Sequence, residues 1–222
     1  MDNVLKKAKK KEHTRIFRKN MLNFVPMNSI INPEVKCDNM IIVDADHADR
    51  VAFDLIVNFE RMLERPLPNA DLPRWIDCMA LDGGVTEGDD VTQVALVHGK
   101  GKTRMEYFTP GNLHDELNGQ AFRDHLGEFI LNAFSEESII SREDLLLDIL
   151  HLALNSDNVK RIVVVPDDES VPRVRQALRR VPDNKRVTLL TMQPVGGGDF
   201  RSDLLGYSLM NALGIRSDEL QP

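Results

Sequence analysis

Residues 160–192 are the part of the chain that most restricts how it can fold. Arg161–Val165 is rich in β-branched residues and long enough to be a strand buried on both faces. A helix is predicted to follow, because apolar residues recur at helical spacing at Val174, Ala177, Leu178 and Val181. Residues 187–192 then form a second β-like run. A strand, a helix and another strand in this order predict a parallel βαβ unit.

The rest of the chain alternates between β-like and helical patterns. Residues 40–43 predict an apolar strand, and a helical stripe follows it at Val51, Leu55, Ile56, Phe59, Met62 and Leu63. Further along, the patterns predict a strand over 74–81, a β-hairpin formed by 91–97 and 104–108, helices over 122–134 and from Ser141 onwards, and a last helix over about 201–213. This alternation predicts an α/β three-layer sandwich with a largely parallel, Rossmann-like central sheet and a β-hairpin insertion.

The composition is that of one domain with an appendage. The chain has 222 residues, of which 42% are hydrophobic, enough to fill a single core. We expect residues 1–37 to be a basic arm with an extended connector, and residues 38–222 to be a single α/β domain. Two cysteines, Cys37 and Cys78, are too few for a disulfide framework or a standard zinc site, so both are expected to be buried thiols.

Charge is distributed unevenly along the chain. The first 25 residues hold eight Lys and Arg residues against two acidic ones, a net charge of +6; the whole chain carries −7, so the remainder carries −13. Three roles are open for the arm: a solvated tail, a contact to RNA phosphates, or a strap on the acidic body of a second subunit in a homo-oligomer. Its cations are Lys6, Lys7, Lys9, Lys10, Lys11, Arg15, Arg18 and Lys19.

Membrane insertion is not expected, because no apolar run approaches the roughly 18 residues that a spanning helix needs. Together with the absence of a signal-peptide pattern, this predicts a cytoplasmic protein.

Acidic residues directly follow two of the predicted strands. Asp44 and Asp46 come after residues 40–43, and Asp167, Asp168 and Glu169 come after Arg161–Val165. Open α/β sheets bind ligands at the carboxyl ends of their strands, so the two groups meet if the strands are neighbours. Crowded carboxylates repel each other unless a cation lies between them, and oxygen ligands suit Mg²⁺ or Mn²⁺. The pattern therefore predicts a divalent-metal site.

A third acidic group lies on the helix that begins near Ser141. Asp144 and Asp148 are four residues apart on one helix face, and His151 follows three residues later. Each acid also has a structural explanation. Asp144 lies at a capping-box position relative to Ser141, and the acids that precede helices could stabilise the helix N-termini.

Two blocks of the chain, residues 40–65 and 141–192, resemble the NYN branch of the PIN-like superfamily. The resemblance is carried by MIIVD at 40–44, VVVPDDESVP at 163–172 and KRVTLL at 185–190. It implies a PIN-like fold and a divalent-metal-dependent ribonuclease. Departures from the family pattern, among them Pro166, Glu169 and Ser170, imply that an inactive relative fits as well.

The resemblance also implies roles for particular acids. Asp44, Asp167 and Glu169 would be Mg²⁺ or Mn²⁺ ligands, and Asp148 or Asp144 would stand for the acid on the preceding helix. Asp46 and Asp168 are possible additional ligands. No catalytic residue separate from the metal ligands is implied, since the ions themselves would activate water and stabilise the leaving oxygen.

Two further hypotheses belong to other classes. Asp44-Ala45-Asp46 also resembles the opening of haloacid-dehalogenase-like phosphatases, which would make Asp44 the nucleophile and Asp46 the general acid. The third hypothesis is a non-enzymatic α/β interaction module that uses the basic arm as its contact.

Overall fold

A computed structural model describes residues 18–19 and 37–220 of the chain. The strands of its main sheet are β1 Arg18–Lys19, β2 Asn39–Asp44, β4 Val91–His98, β6 Gln120–Asp124, β7 Gly127–Ser135, β8 Arg161–Val165, β9 Arg186–Thr191 and β10 Arg201–Leu204. A small second sheet pairs β3 Ala70–Asp71 with β5 Phe108–Thr109. The α-helices are α1 Ala45–Leu63, α2 Leu72–Asp82, α3 Arg142–Asn155, α4 Val171–Ala177 and α5 Leu205–Ala212. Single turns of π or 3₁₀ helix occupy Leu113–Leu117, Asp168–Ser170 and Ser217–Leu220.

The main sheet has the order β1-β6-β7-β4-β2-β8-β9-β10. Across the sheet, each of the six strands from β7 to β10 is parallel to its neighbours in that group. β6 instead pairs antiparallel with both β7 and β1. Numbered along the chain, the parallel strands lie in the doubly wound order 3-2-1-4-5-6, and the first of them, β2, lies at the point where the order reverses. The predicted largely parallel sheet and the βαβ unit at 160–192 are thus confirmed.

Helices cover both faces of the sheet and form two cores. Alternate residues of β2 divide between the cores, as the strand pleat requires: Ile41 and Val43 face one, and Met40 and Ile42 face the other. The first core contains buried residues of α1, α2 and α5, and the second contains those of α3 and α4. The chain is therefore a three-layer α/β sandwich, as the sequence predicted.

Residues 74–81, predicted to be a strand, are helical and belong to α2. The helix begins because Asp71 caps it, accepting a hydrogen bond from the Arg74 N–H at 2.9 Å, and because Pro73 suits the first turn. Trp75 is fully buried and donates its indole N–H to the Ser208 hydroxyl of α5 at 3.0 Å. The prediction was wrong because a short apolar run is compatible with a buried strand and with a buried helix.

Residues 122–134, predicted to be a helix, form the hairpin of β6 and β7. Phe122 lies opposite Phe129, and their rings stack with centroids 4.8 Å apart. Gly127 makes the turn possible, since its φ is +121° and an added Cβ would collide with the Asp90 carbonyl. The spacing of apolar residues suggested a helical period because it runs across two strands and their turn; within β7 itself, buried and half-buried residues alternate, as in a strand with one face in the core.

The predicted hairpin over 91–97 and 104–108 is correct only in its first strand, β4. Residues 104–108 contain an isolated bridge from Arg104 to Asn112, and β5 begins only at Phe108. The last predicted helix likewise starts later, at Leu205, because the four residues before it form β10 beside β9. Among the described residues, no helix is long and apolar enough to cross a lipid bilayer.

Candidate functional site

The acids predicted to meet do lie at neighbouring strand ends. β2 runs parallel to β8 on one side and to β4 on the other. Asp44 ends β2 and caps α1, accepting a hydrogen bond from the His47 N–H at 2.9 Å. Asp167 follows β8 and caps the next 3₁₀ turn, accepting from the Glu169 N–H at 3.1 Å. The strand neighbourhood inferred from the two acidic turns is therefore confirmed.

Arg142, the first residue of α3, joins these acids. Its Nε donates to Asp44 Oδ2 at 2.7 Å and its Nη1 to Asp46 Oδ2 at 2.5 Å. Its Nη2 lies 3.5 Å from Asp167 Oδ2. A planar guanidinium with several donors can bind carboxylates on different sides at once. The space between the strand ends, where the sequence predicted a metal ion, is thus occupied by an arginine.

Two more cations complete the arrangement. Arg50 donates from Nη2 to Asp167 Oδ2 at 2.8 Å. Lys102, on the loop after β4, lies with Nζ 2.8 Å from Asp49 Oδ2 and 3.8 Å from Asp46 Oδ1. We call the set the ionic cluster; it consists of Asp44, Asp46, Asp49, Asp167, Arg50, Lys102 and Arg142. Four carboxylates and three cations nearly balance, so the charge that was predicted to attract a metal ion is largely neutralised from within the chain.

Burial and pairing affect the acids of the ionic cluster differently. Burial raises the pKa of Asp44 above its ordinary value, even though the His47 N–H and the Arg142 guanidinium favour the carboxylate. Burial also acts to raise the pKa of Asp167, but the hydrogen bonds from Arg50 and the Glu169 N–H outweigh it, and that pKa is lowered. Burial therefore disfavours the charged form of Asp44, and the His47 N–H and Arg142 act against that effect.

The ionic cluster also anchors the loop after β4. The Gly99 N–H donates to Asp46 Oδ2 at 3.1 Å, and the Tyr107 N–H donates to Asp49 Oδ1 at 2.9 Å. Sequence reasoning missed Asp49, Arg50 and Lys102 as well as Arg142. Two of these residues could have been found from their places in the chain. Arg142 is the first residue of a helix and Lys102 follows the end of β4, so both lie close to the strand ends that carry the acids.

The other predicted metal ligands take no part in the ionic cluster. Asp144 accepts hydrogen bonds from the Ser141 hydroxyl at 2.7 Å and from Arg173 at 2.9 Å, so its capping-box explanation holds. The remaining acids predicted as metal ligands are exposed on the surface: Asp148, Asp168 and Glu169. His151, which lies on the same helix as Asp148, is exposed as well. The described residues contain no group of three His, Cys, Asp or Glu side chains that could hold a metal ion. In residues 37–220, the carboxylates at the ends of β2 and β8 are paired instead with arginine and lysine side chains.

Most of the basic arm lies outside the described residues, including Lys6, Lys7, Lys9, Lys10, Lys11 and Arg15. Arg18 and Lys19 form β1.

Of the two predicted buried thiols, Cys37 is buried, with its pKa raised by burial to about 11, and Cys78 is half-buried.

Two buried histidines flank the ionic cluster, and each is only 1% exposed. His47 Nδ1 accepts from Arg50 Nη2 at 3.1 Å, so its proton belongs on Nε2. His98 Nδ1 lies 3.1 Å from the Gly99 carbonyl oxygen, so Nδ1 carries the proton there. Within the described part of the chain, neither Nε2 has a hydrogen-bond partner. Burial lowers the pKa of both imidazoles.

Acidification from about pH 7 to about pH 5.5 is expected to destabilise the protein through His47 and His98. Both pKa values are lower in the folded chain than in the unfolded one, so the unfolded state binds more protons in this range. The stabilising contribution is complete above the unfolded pKa of about 6.5 and is lost as the pH falls, by at most about 1.2 kcal/mol for each histidine.

Urea unfolding at several pH values measures this loss. His47→Gln with His98→Gln should flatten the pH dependence, whereas His151→Gln, which changes an exposed histidine on α3, should leave it unchanged. An equally steep dependence in the buried double variant would contradict the assignment.

The parallel order of the strands and the ionic cluster at the carboxyl ends of β2, β4 and β8 define a doubly wound α/β protein. Residues 35–220 match the profile of a family of unknown function, DUF6621, and the chain belongs to that family. No curated protein and no solved structure matches the chain. The resemblance to NYN domains stays a prediction, and function has to be inferred from the site because a fold alone does not imply one.

Proposed function

We propose that this domain is a non-enzymatic α/β interaction module. The observation that carries the proposal is the state of Asp44. Its Oδ1 accepts from the His47 N–H at 2.9 Å, and its Oδ2 accepts from Arg142 Nε at 2.7 Å. Only 3% of the side chain is exposed. Each oxygen therefore already has a donor, and the pairing of Oδ2 with a buried guanidinium disfavours a second cation or a nucleophilic role at this carboxylate.

The two enzyme hypotheses require the same carboxylates to be free. A ribonuclease would need Asp44 and Asp167 to share an ion, but Arg142 contacts both of them. A phosphatase would use Asp44 as nucleophile and Asp46 as general acid, yet Arg142 holds both at 2.7 Å and 2.5 Å. An inactive relative of an NYN nuclease agrees with these contacts. We also propose that the module is located in the cytoplasm and that its partner is a protein.

We expect the wild-type protein to be inactive in three assays. It should not cleave single-stranded RNA with Mg²⁺ or Mn²⁺, should not hydrolyse an aryl phosphate, and should show the same melting temperature with and without Mn²⁺, since only a ligand that binds the native state raises stability. RNA cleavage that is lost alike in Asp44→Asn and Asp167→Asn would establish the ribonuclease instead. Trapping of a fluoride phosphate mimic at Asp44 would establish the phosphatase.

An Arg142→Gln variant tests directly whether Arg142 prevents a metal ion from binding. If the guanidinium occupies the place of an ion, its removal should allow Mn²⁺ to raise the melting temperature of the variant. Arg173→Gln is the matched control, because it removes an arginine that pairs with Glu143 and Asp144 outside the ionic cluster. Equal Mn²⁺ responses in the wild type and the Arg142 variant would show that Arg142 does not exclude the ion.

A further inference from the structure

His98, the last residue of β4, is a buried histidine with one nitrogen unused. Its Nδ1–H donates to the Gly99 carbonyl at 3.1 Å, which leaves Nε2 with a lone pair and, among the described residues, no hydrogen-bond donor. Buried acceptors without a partner are rare and require an explanation. An imidazole held through Nδ1–H to a backbone carbonyl is also the usual arrangement of a histidine that binds a metal ion through Nε2.

A second imidazole lies beside it. The rings of His98 and His114 have centroids 6.0 Å apart and planes at 87°. His114 is exposed, and in the described ranges its ring makes no hydrogen bond, so either of its nitrogens is open to a ligand. Two imidazoles on one tetrahedral ion have centroids roughly 5 Å apart, given Zn–N distances of about 2.0–2.1 Å. A side-chain rotation that moves the exposed ring by about 1 Å closes this difference.

The chain between the two histidines holds His114 in place. It folds back after β4, where the Leu113 N–H donates to the Thr103 carbonyl at 2.9 Å. His114 then lies in the π turn Leu113–Leu117, which is capped by the Asn112 side chain through a hydrogen bond from the His114 N–H at 3.0 Å. π-helical turns are rare and occur frequently at functional sites. The second imidazole is therefore positioned by a capped turn of an unusual kind.

The electrostatic surroundings of His98 also suit a metal ligand. Burial lowers the pKa of its imidazole, so at about pH 7 the ring is neutral, the form that binds metal ions. The negative charge of Asp46 acts against that shift, and Oδ1 of Asp46 is itself buried without a hydrogen-bond donor in the described part of the chain. Glu136 also acts electrostatically on His98. Carboxylates near the ring favour a bound cation, whereas Lys102 acts in the opposite direction.

We propose that His98 and His114 together bind Zn²⁺ or a similar divalent ion with affinity for imidazole, and that water completes its coordination. Nitrogen ligands suit Zn²⁺, Cu²⁺ and Ni²⁺, whereas Mg²⁺ prefers oxygen. No three His, Cys, Asp or Glu side chains within the described residues form a metal-binding group, so the chain supplies two ligands. The ion fastens the π turn to the end of β4.

The inference goes beyond the proposed function, because the two imidazoles lie outside the ionic cluster and bind an ion whether or not the domain is an enzyme. Mn²⁺ stands at the weak end of the affinity order for such ligands. The Mn²⁺ assay of the ionic cluster and a Zn²⁺ assay of the two histidines therefore succeed or fail separately.

Calorimetric titration with Zn²⁺ tests the proposal in a Cys78→Ser background, which removes a half-buried thiol as a competing ligand. The parent protein should bind one ion per chain. His114→Gln should weaken that binding at least about tenfold, since losing even an outer-shell partner of a metal costs about 10–100-fold in affinity. His125→Gln changes another exposed histidine and is the matched control, with unchanged binding. No binding in the parent protein, or equal affinity in His114→Gln, would overturn the proposal.

Hydrogen exchange locates the bound ion. Zn²⁺ should slow exchange in peptides covering Leu113–Leu117 in the parent protein but not in His114→Gln, and a chelator should reverse the effect. His98→Gln should abolish the protection as well, and thermal unfolding verifies that this buried variant is folded. If it is not, the exposed His114 variant decides alone. Zn²⁺ that binds without protecting the π turn lies elsewhere, and the assignment to these histidines then fails.

Discussion

An Arg142→Ala variant is expected to melt about 4–12 °C below the wild-type protein, given roughly 2–3 kcal/mol of lost stability and about 2–4 °C per kcal/mol for a chain of this size. The loss is large because alanine leaves Asp44 charged and buried without its guanidinium. Removing one partner of a fully buried ion pair costs about 3–5 kcal/mol. We place Arg142 below that range because 27% of its side chain is exposed.

The control for this variant is Arg173→Ala. Arg173 also makes two ion pairs, to Glu143 at 2.8 Å and to Asp144 at 2.9 Å, but 51% of its side chain is exposed. Exposed pairs contribute little because water and salt screen them, so the melting temperature should hardly change. Melting curves followed by circular dichroism measure both variants, and similar shifts would show that Arg142 does not hold buried acids together.

An Asp49→Ala variant is expected to lose about 2–3 kcal/mol of stability and to release the loop between Gly99 and Tyr107. Asp49 is 6% exposed and accepts from Lys102 Nζ at 2.8 Å and from the Tyr107 N–H at 2.9 Å. Alanine leaves the Tyr107 N–H without this acceptor, at a cost of about 1–3 kcal/mol, and removes the nearer of the two acids beside Lys102. The loop should therefore open more often than the rest of the structure.

Hydrogen exchange read by mass spectrometry tests the release directly. Peptides covering residues 99–107 should exchange faster in Asp49→Ala than in the wild type, while peptides from β8 and β9 should not change. Asp54→Ala removes an exposed acid from the same helix and should leave the loop protected. Unchanged exchange at Tyr107 in Asp49→Ala would refute the anchoring role.

The strands that sequence could predict share one property. β2, β8 and β9 lie inside a parallel sheet with both faces covered, which requires continuous apolar runs, and such runs are visible in the sequence. The acids after β2 and β8 were visible for the same reason, since both of these runs stop abruptly at an acidic turn. From these two observations the meeting of Asp44 and Asp167 could be predicted correctly.

The partner of those acids could not be predicted in the same way. Arg142 lies 98 residues from Asp44 in sequence and contacts it only because α3 returns to the carboxyl end of β2. No local period encodes that contact. The wrong predictions of secondary structure for α2 and β7 have a related cause. The apolar side chains of both elements pack against residues that are distant in the sequence, so their spacing alone did not distinguish a helix from a strand.

The contact between α2 and α5 gives this protein a built-in optical probe. Trp75 is the chain's single tryptophan, is fully buried, and donates its indole N–H to Ser208. Its fluorescence therefore originates from one known environment, the core that faces α1, α2 and α5. Because the indole lies outside the ionic cluster, emission that stays constant in a variant of the cluster identifies a local change, and a red shift identifies global unfolding.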